Sequence, residues 1–228
     1  VPFTPFDDFV GLAAALREKG LSVGIIDMPA LNLTADEVVA KVRESGAKIV
    51  GMGSTTGGFG YVMRLAGKIK SETGAKIIVG GFHPTLSPDL VKKYPVFDHI
   101  LVGEGEITLP KAAKRILAGK KVKRVLRGEP PKNLDKLPIP AYDLLPLEKY
   151  FLPNSSKRPA YLESRRGCPF NCAFCSIRKT GRRAKSAGRI VREMRLLKSL
   201  GVGFVEFSDE TFTIDRKRVI RLCDEIER

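Results

Sequence analysis

The chain has 228 residues, 43% hydrophobic and 29% charged, with a formal net charge of +15 at pH 7 and a pI near 9.8. That length supplies one large or two modest domains with cores of their own, and no apolar run is long enough to span a bilayer. The opening Val1-Pro-Phe-Thr-Pro-Phe-Asp-Asp8 has neither the basic region nor the apolar core of a signal peptide, so a cytoplasmic, reducing setting is expected.

Asp7 or Asp8 can cap a helix over about 8–19, with Phe9, Val10, Leu12, Ala13 and Leu16 on one face and Gly20 to end it. Ser22–Ile26 has the make-up of a short strand closing on Asp27. Thr34-Ala-Asp-Glu37 is a capping box that opens a helix over 35–45. Strands are predicted at 48–52, 75–79 and 98–102, alternating with helices over 60–73, 87–93 and 107–118. Alternation with short loops predicts a parallel sheet flanked by helices, and such sheets take ligands at the carboxyl ends of their strands. Turns rich in glycine and hydroxyls fall there, at 53–58, 80–85 and 103–106. Glycine lets a ligand approach the backbone, though ordinary strand–helix punctuation is the other reading of these turns. None is a dinucleotide fingerprint or a phosphate loop, so a nicotinamide or nucleoside-triphosphate site has no support. His83 reads as a satisfied turn histidine and His99 as structural.

Glu129–Tyr142 holds four prolines and reads as an extended connector, while the apolar residues of 143–151 suggest that it packs on a domain surface. Ala160–Ser164 is predicted as a strand leading into a cysteine loop. A helix over 186–200 follows, with Ile190, Met194 and Leu197 inward and arginines outward. A strand at 203–207 ends on Ser208-Asp209-Glu210, and Asp215 can start the next helix. This run reads as the opening of a (βα) barrel, in which the cysteine loop and Ser208–Glu210 are neighbours.

Between Lys157 and Lys198 the basic residues, Arg178 and Lys179 among them, face only Glu163 and Glu193. Such a run invites a nucleic-acid reading. Only Tyr161, Phe170 and Phe174 interleave it, so no base-stacking platform is evident and nucleic acid is not expected as a partner. The charge reads instead as a solvated helix face and a loop that offsets an anionic group. The absence of Gln and Trp beside abundant Lys, Arg and Glu hints at a thermophilic source.

Three of the four cysteines, Cys168, Cys172 and Cys175, are spaced C-x3-C-x2-C. One short loop can wrap three such thiolates around a single centre, zinc or an iron–sulfur cluster. A disulfide framework does not suit an odd triplet in a chain of this length. Cys223 lies in an amphipathic helical pattern and reads as a small core residue.

With an aromatic, Phe174, before the third cysteine, the loop resembles the signature of the radical S-adenosylmethionine (SAM) enzymes. The resemblance implies a [4Fe-4S] cluster on Cys168, Cys172 and Cys175, an open iron chelated by SAM, and cleavage to a 5′-deoxyadenosyl radical. Phe174 would pack near the adenine, and Ser208, Asp209 and Glu210 match by position the segment that bonds the SAM amino group. Leu12–Gly20 with Ile25-Ile-Asp27, Gly80-Gly-Phe-His-Pro-Thr85 and Val102-Gly-Glu-Gly-Glu106 resemble the cobalamin-binding domain that precedes the radical SAM core in one large subclass. By that likeness Ser54, Thr55, Thr56, Gly80, Gly81, His83, Gly103, Glu104 and Gly105 fall at the cofactor. Asp27-Met-Pro-Ala30 lacks a histidine to ligate cobalt from below, as is usual in the subclass.

The expected organisation is a Rossmann-like (flavodoxin-like) parallel-sheet cobalamin domain at 1–128, a proline-rich linker at 129–158 and the first βα units of a partial TIM barrel at 159–228. A start without Met, no strand before residue 1 and an end inside a helical pattern read as an excerpt of a longer protein. The implied reaction is methylation of an unactivated carbon, with cobalamin-assisted cyclisation or rearrangement as the alternative. The implied partners are a small-molecule or lipid-like substrate and an electron donor such as ferredoxin or flavodoxin. A zinc-bearing basic nucleic-acid module is the reading from another class.

Overall fold

The computed structural model describes residues 7–153, 155–177 and 180–228. They divide into two units: Ala15–Met28 with Asn32–Pro131, and Pro29–Leu31 with Lys132–Arg228 and the chain up to Ala14. The first helix, α1 (Asp7–Glu18), buries Val10, Ala13, Ala14 and Ala15. Gly20 ends it at φ 75, donating its N–H to Arg17 O at 2.8 Å. The side chains of Asp7 and Asp8, expected as its caps, and the basic residues Arg178 and Lys179 lie outside what is described.

In the unit that ends at Pro131, α2 (Ala35–Ser45) carries the capping box in full. Glu37 N–H donates to Thr34 Oγ1 at 3.3 Å, and Thr34 N–H to Glu37 Oε2 at 2.7 Å. These bonds hold the Glu37 carboxyl below its ordinary value, the Thr34 backbone N–H most of all. Four strands follow: β1 (Ile49–Gly53), β2 (Lys76–Gly80), β3 (His99–Val102) and β4 (Val125–Arg127), all parallel in the order β1-β2-β3-β4. Between them run α3 (Phe59–Thr73), the short α4 (Phe82–Leu86) and α5 (Pro88–Val91), and α6 (Thr108–Leu117). Consecutive burial of Ile77, Ile78 and Val79 marks β2 as a strand covered on both faces. Val39, Ile69, Ile77, Val79, Phe97 and Ile100 share one core cluster, and burying each such apolar side chain stabilises by about 1.5–3 kcal/mol.

Three departures from the sequence reading occur here. Ser22–Ile26 alternates in exposure as a strand does, with Ser22, Gly24 and Ile26 outward, but pairs with no described strand. The helix expected over 87–93 is two short ones, because Ser87 leaves helical backbone (φ −134, ψ 52) and Pro88 starts a new first turn. The fourth strand was not predicted, since three residues flanked by basic side chains carry no readable period.

In the other unit the proline-rich segment is a strap of three 3-10 turns that packs down, as its apolar residues suggest. Leu134, Ala141, Tyr142 and Leu147 are buried, and Ala141 N–H donates to Val10 O at 3.0 Å. Next, β5 (Pro159–Leu162) pairs parallel with β8 (Phe204–Phe207). The crossover helix α7 (Ala187–Ser199) is capped by Ser186, and α8 (Arg216–Glu227) by Asp215, whose Oδ1 accepts Arg218 N–H at 3.0 Å. The parallel four-strand sheet and this βαβα run are the expected Rossmann-like domain and barrel opening.

Helix α7 corrects one expectation. Ile190 and Leu197 are inward as read, but so are Arg189 and Glu193, 4% and 0% exposed. Glu193 accepts Arg189 Nε at 2.5 Å and Lys185 Nζ at 2.7 Å, and Arg189 also donates to the strap carbonyls of Leu137 and Pro138 at 2.7 Å each. A buried cation is tolerated only when its donors are met, and here the backbone of the strap meets them. Cys223 corrects another: it is exposed, while its neighbour Leu222 takes the core position at 1% exposure.

Candidate functional site

After β5 the chain makes a narrow neck. Residues β6 (Arg165–Arg166) pair antiparallel with β7 (Arg183–Ala184), Arg165 opposite Ala184 and Arg166 opposite Arg183. The cysteine loop hangs beyond these two rungs. Gly167 sits at the neck with φ +90, and a Cβ there would lie 2.2 Å from Gly181 O, so only glycine lets the strands close. Cys168 N–H donates to Thr180 Oγ1 at 3.0 Å, and Cys175 N–H to Cys172 O at 3.1 Å, which folds the second and third cysteines into one turn.

All three loop cysteines are free thiols, Cys168 and Cys175 half-buried and Cys172 exposed. Phe174 is 93% exposed. Among the described residues no group of three His, Cys, Asp or Glu side chains stands at metal-ligating spacing, so the neck is set while the sulfurs are not gathered. The donor set still has a definite chemistry. Three soft sulfurs from one loop suit an iron–sulfur cluster, and the remaining cysteine stands on the exposed face of α8.

The segment after β8 meets this neck. Ser208 N–H extends the ladder to Leu162 O at 3.2 Å. Asp209 Oδ1 accepts the N–H groups of Ser164 at 2.7 Å and Arg165 at 3.1 Å, and its Oδ2 accepts the Ser164 hydroxyl. Glu210 Oε2 accepts Gly167 N–H at 3.2 Å, and the Thr211 hydroxyl lies 3.7 Å from Cys168 Sγ. The predicted neighbours are therefore joined.

Ser164, Thr211 and Arg218 complete the cluster and were missed in the sequence, where none belongs to a motif. Arg218 Nη2 donates to Ser164 O at 2.9 Å and to the Ser164 hydroxyl. Its guanidinium lies 5.9 Å over the Phe212 ring, which stacks on Phe207 at 4.6 Å. Burial pulls the Arg218 guanidinium below its ordinary value. The Asp209 carboxylate opposes that shift and the Arg165 cation adds to it.

In the other unit the three glycine turns follow β1, β2 and β3 and are tied together. Ser54 N–H donates to Gly80 O at 3.0 Å, His83 N–H to Ser54 O at 2.9 Å, and Gly103 N–H to Thr85 Oγ1 at 3.0 Å. Gly81, at φ +91, lets the second turn press on the first, since a Cβ would stand 3.0 Å from Ser54 N. The hydroxyls mostly serve the turns themselves: Ser54 donates to Thr55 O, Thr55 Oγ1 accepts Gly58 N–H, and Thr56 Oγ1 bonds His83 Nδ1 at 3.2 Å. His83 is 5% exposed, packed on Phe59 at 4.4 Å, and its Nε2 has no partner among the described residues. It is a buried turn histidine, but where the sequence reads it as satisfied only its Nδ1 is bonded among the described residues. Gly105 is buried, Glu104 half-buried, and Gly103 exposed at φ +82. The exposed Gly57, Gly81 and Gly103 leave backbone open along this edge.

Residues 9–113 match the B12 binding domain family. An uncharacterized methyltransferase of Pyrococcus horikoshii is 34% identical over 95% of this chain and 51% of its own length. An anaerobic magnesium-protoporphyrin IX monomethyl ester cyclase of Rubrivivax gelatinosus is 31% identical over 94% of this chain and 43% of its own. The chain thus spans about half the length of the curated relatives it matches. The solved structure of OxsB, a cobalamin-dependent S-adenosylmethionine radical enzyme with aqua-cobalamin and S-adenosylmethionine bound, superposes with a TM-score of 0.79 at 22% identity, covering 100% of this chain and 35% of that one. No helix among the described residues is long and apolar enough to cross a membrane.

Proposed function

The chain belongs to the cobalamin-binding-domain-containing radical SAM family, and on that footing we propose that the protein it comes from cleaves SAM reductively and methylates an unactivated carbon. The observation that carries the reading is the free C-x3-C-x2-C loop, hung from a glycine-closed neck directly after the first strand of a βαβ unit. When bound, a [4Fe-4S] cluster and cobalamin supply the one-electron and methyl-transfer chemistry that no side chain of this chain provides.

Cys168, Cys172 and Cys175 would hold the cluster, and the gathered sulfurs would leave one corner for SAM. Phe174, exposed at the loop tip, offers an aromatic face to the adenine, and Ser208 and Glu210 line the adjoining strand end. The turns around Ser54–Thr56, Gly80–His83 and Gly103–Gly105 would hold cobalamin through open backbone, with His83 itself buried in the turn. Domains at 1–128 and 159–228 joined by the strap at 129–158 are the division this reading uses. A small-molecule or lipid-like substrate, a ferredoxin or flavodoxin as electron donor and a cytoplasmic setting complete it. Cyclisation is the second reading, favoured by the likeness to the Rubrivivax cyclase.

The test is anaerobic reconstitution of the full-length protein with iron, sulfide and cobalamin. Brown protein with about four irons per chain, retained cobalamin and 5′-deoxyadenosine released from SAM are expected. Cys172→Ala should abolish the release; release undiminished in that variant would overturn the site. Methyl transfer from labelled SAM to product separates methylation from cyclisation.

A further inference from the structure

Resemblance alone puts Asp209 among the SAM contacts, but its geometry assigns it other work. Both carboxylate oxygens are already engaged, by two backbone N–H groups and a hydroxyl from Ser164 and Arg165. A carboxylate has about four acceptor sites, and three are filled here by the neck of the cysteine loop. The donors are interior ones, Ser164 being 0% and Arg165 4% exposed. Turning Asp209 toward a ligand would strand all three without water to replace it.

The same neck is held from several sides. Ser164 O accepts Lys185 N–H at 2.9 Å, where the chain returns from the loop, and Arg218 Nη2 at 2.9 Å from α8. Glu210 holds the next peptide through Gly167 N–H at 3.2 Å. Arg165 Nη1 donates to Thr211 O at 3.1 Å, so the cation on the neck reaches back to the segment after β8. Entry and exit of the loop, the end of β8 and the first turn of α8 therefore meet at Ser164.

We infer that Asp209, with Arg218 on the other side of Ser164, is a positioning residue that clamps the neck of the cysteine loop and leaves the amino group of SAM to other atoms. The clamp stands on contacts within this chain. Only the statement of what the loop carries rests on the radical SAM reading above.

The experiment uses the full-length protein with Asp209→Asn, Ser164→Ala, the double variant and Arg218→Lys. In iron-free protein the rate of iodoacetamide alkylation is followed at each cysteine by mass spectrometry. Asp209→Asn should speed the half-buried Cys168 by about tenfold, the loss expected for a hydrogen bond to a charged group. Cys223, already exposed, calibrates the reagent, and a cooperative urea transition kept in the variant separates a loosened neck from global unfolding. Ser164→Ala, which keeps the backbone donors, should give a smaller increase, and the double variant should add little to Asp209→Asn.

After reconstitution, the SAM-induced change in the electron paramagnetic resonance signal of the reduced cluster should be kept in Asp209→Asn, per cluster loaded, with SAM affinity within about twofold of the parent. Unchanged Cys168 alkylation in both Asp209→Asn and Ser164→Ala overturns the clamp. So does SAM affinity that falls about tenfold at normal loop reactivity, the mark of a direct ligand. If the alkylation pattern appears but the parent protein takes up no iron, the clamp is supported and the proposed function is what fails.

Discussion

Gly167→Ala tests whether the cysteine loop depends on its neck. The alanine must take φ +90, a backbone region that costs a side-chain-bearing residue about 1–3 kcal/mol. Its methyl would start 2.2 Å from Gly181 O, and a carbon approaches a carbonyl oxygen no closer than about 3.3 Å, so the strands must part by about an ångström. Parting them pulls at two bonds, Gly167 N–H to Glu210 at 3.2 Å and Cys168 N–H to Thr180 at 3.0 Å, each worth about 1 kcal/mol. The sum is about 3–5 kcal/mol against the closed neck, or about two to four orders of magnitude in its population.

The neck supplies its own control. Gly181→Ala alters the facing strand, but a Cβ there meets nothing within 4 Å and the backbone is not left-handed. It should change stability by no more than about 0.5 kcal/mol. The assay is iron retained per chain after anaerobic reconstitution, paired with urea midpoints of the iron-free protein at constant slope. Gly167→Ala should lose most of its iron and Gly181→Ala none. Equal behaviour of the two variants would refute the neck as the element that sets the loop.

Two more outcomes are expected in the sheet unit. Gly81→Ala, placing a Cβ 3.0 Å from Ser54 N and 3.1 Å from Ser54 O, should destabilise by about 1–3 kcal/mol and lower cobalamin retention read from visible absorbance, whereas Gly57→Ala, whose Cβ meets nothing within 4 Å, should leave the urea midpoint unchanged. Asp98→Asn should cost about 1.5–3 kcal/mol, because the carboxylate accepts Ile77 N–H and Lys70 Nζ at 2.9 Å and Lys76 Nζ at 3.2 Å. Burial pushes the Asp98 carboxyl up, but these donors outweigh it and hold the group below its ordinary 3.8. Its contribution is therefore present above that value and lost as pH falls through the lower folded one. Urea midpoints of parent and variant should differ at about pH 7 and draw together as the pH falls below the ordinary 3.8; a gap that does not shrink in acid would sink the assignment.

What could be read in the letters was whatever acts over a few residues. Thr34 with Glu37, and Asp215, each cap within three positions, and both caps are in place. Cysteine spacing is likewise a statement about one loop, and the order of strands follows from alternation. What could not be read are pairings across long separations between groups that every sequence contains. The neck joins two-residue strands 18 positions apart, and Ser164 meets Asp209 and Arg218 at separations of 45 and 54.

The basic run shows why charge counts mislead in the same way. Lys157 to Lys198 reads as a solvated or anion-facing surface, yet Arg165, Lys185 and Arg189 are buried. Their acceptors are Glu193 and the carbonyls of Gly167, Thr211, Asp135, Leu137 and Pro138. A carbonyl has no letter of its own, so nothing in the sequence says which cation will find one. Arg165, Lys185 and Arg189 are thus spent on the neck and the strap, while Lys157, Arg158, Arg182, Arg192, Arg195 and Lys198 stay exposed, so one run of like charge divides into cations that secure the loop carrying the cysteines and cations that form a solvated face.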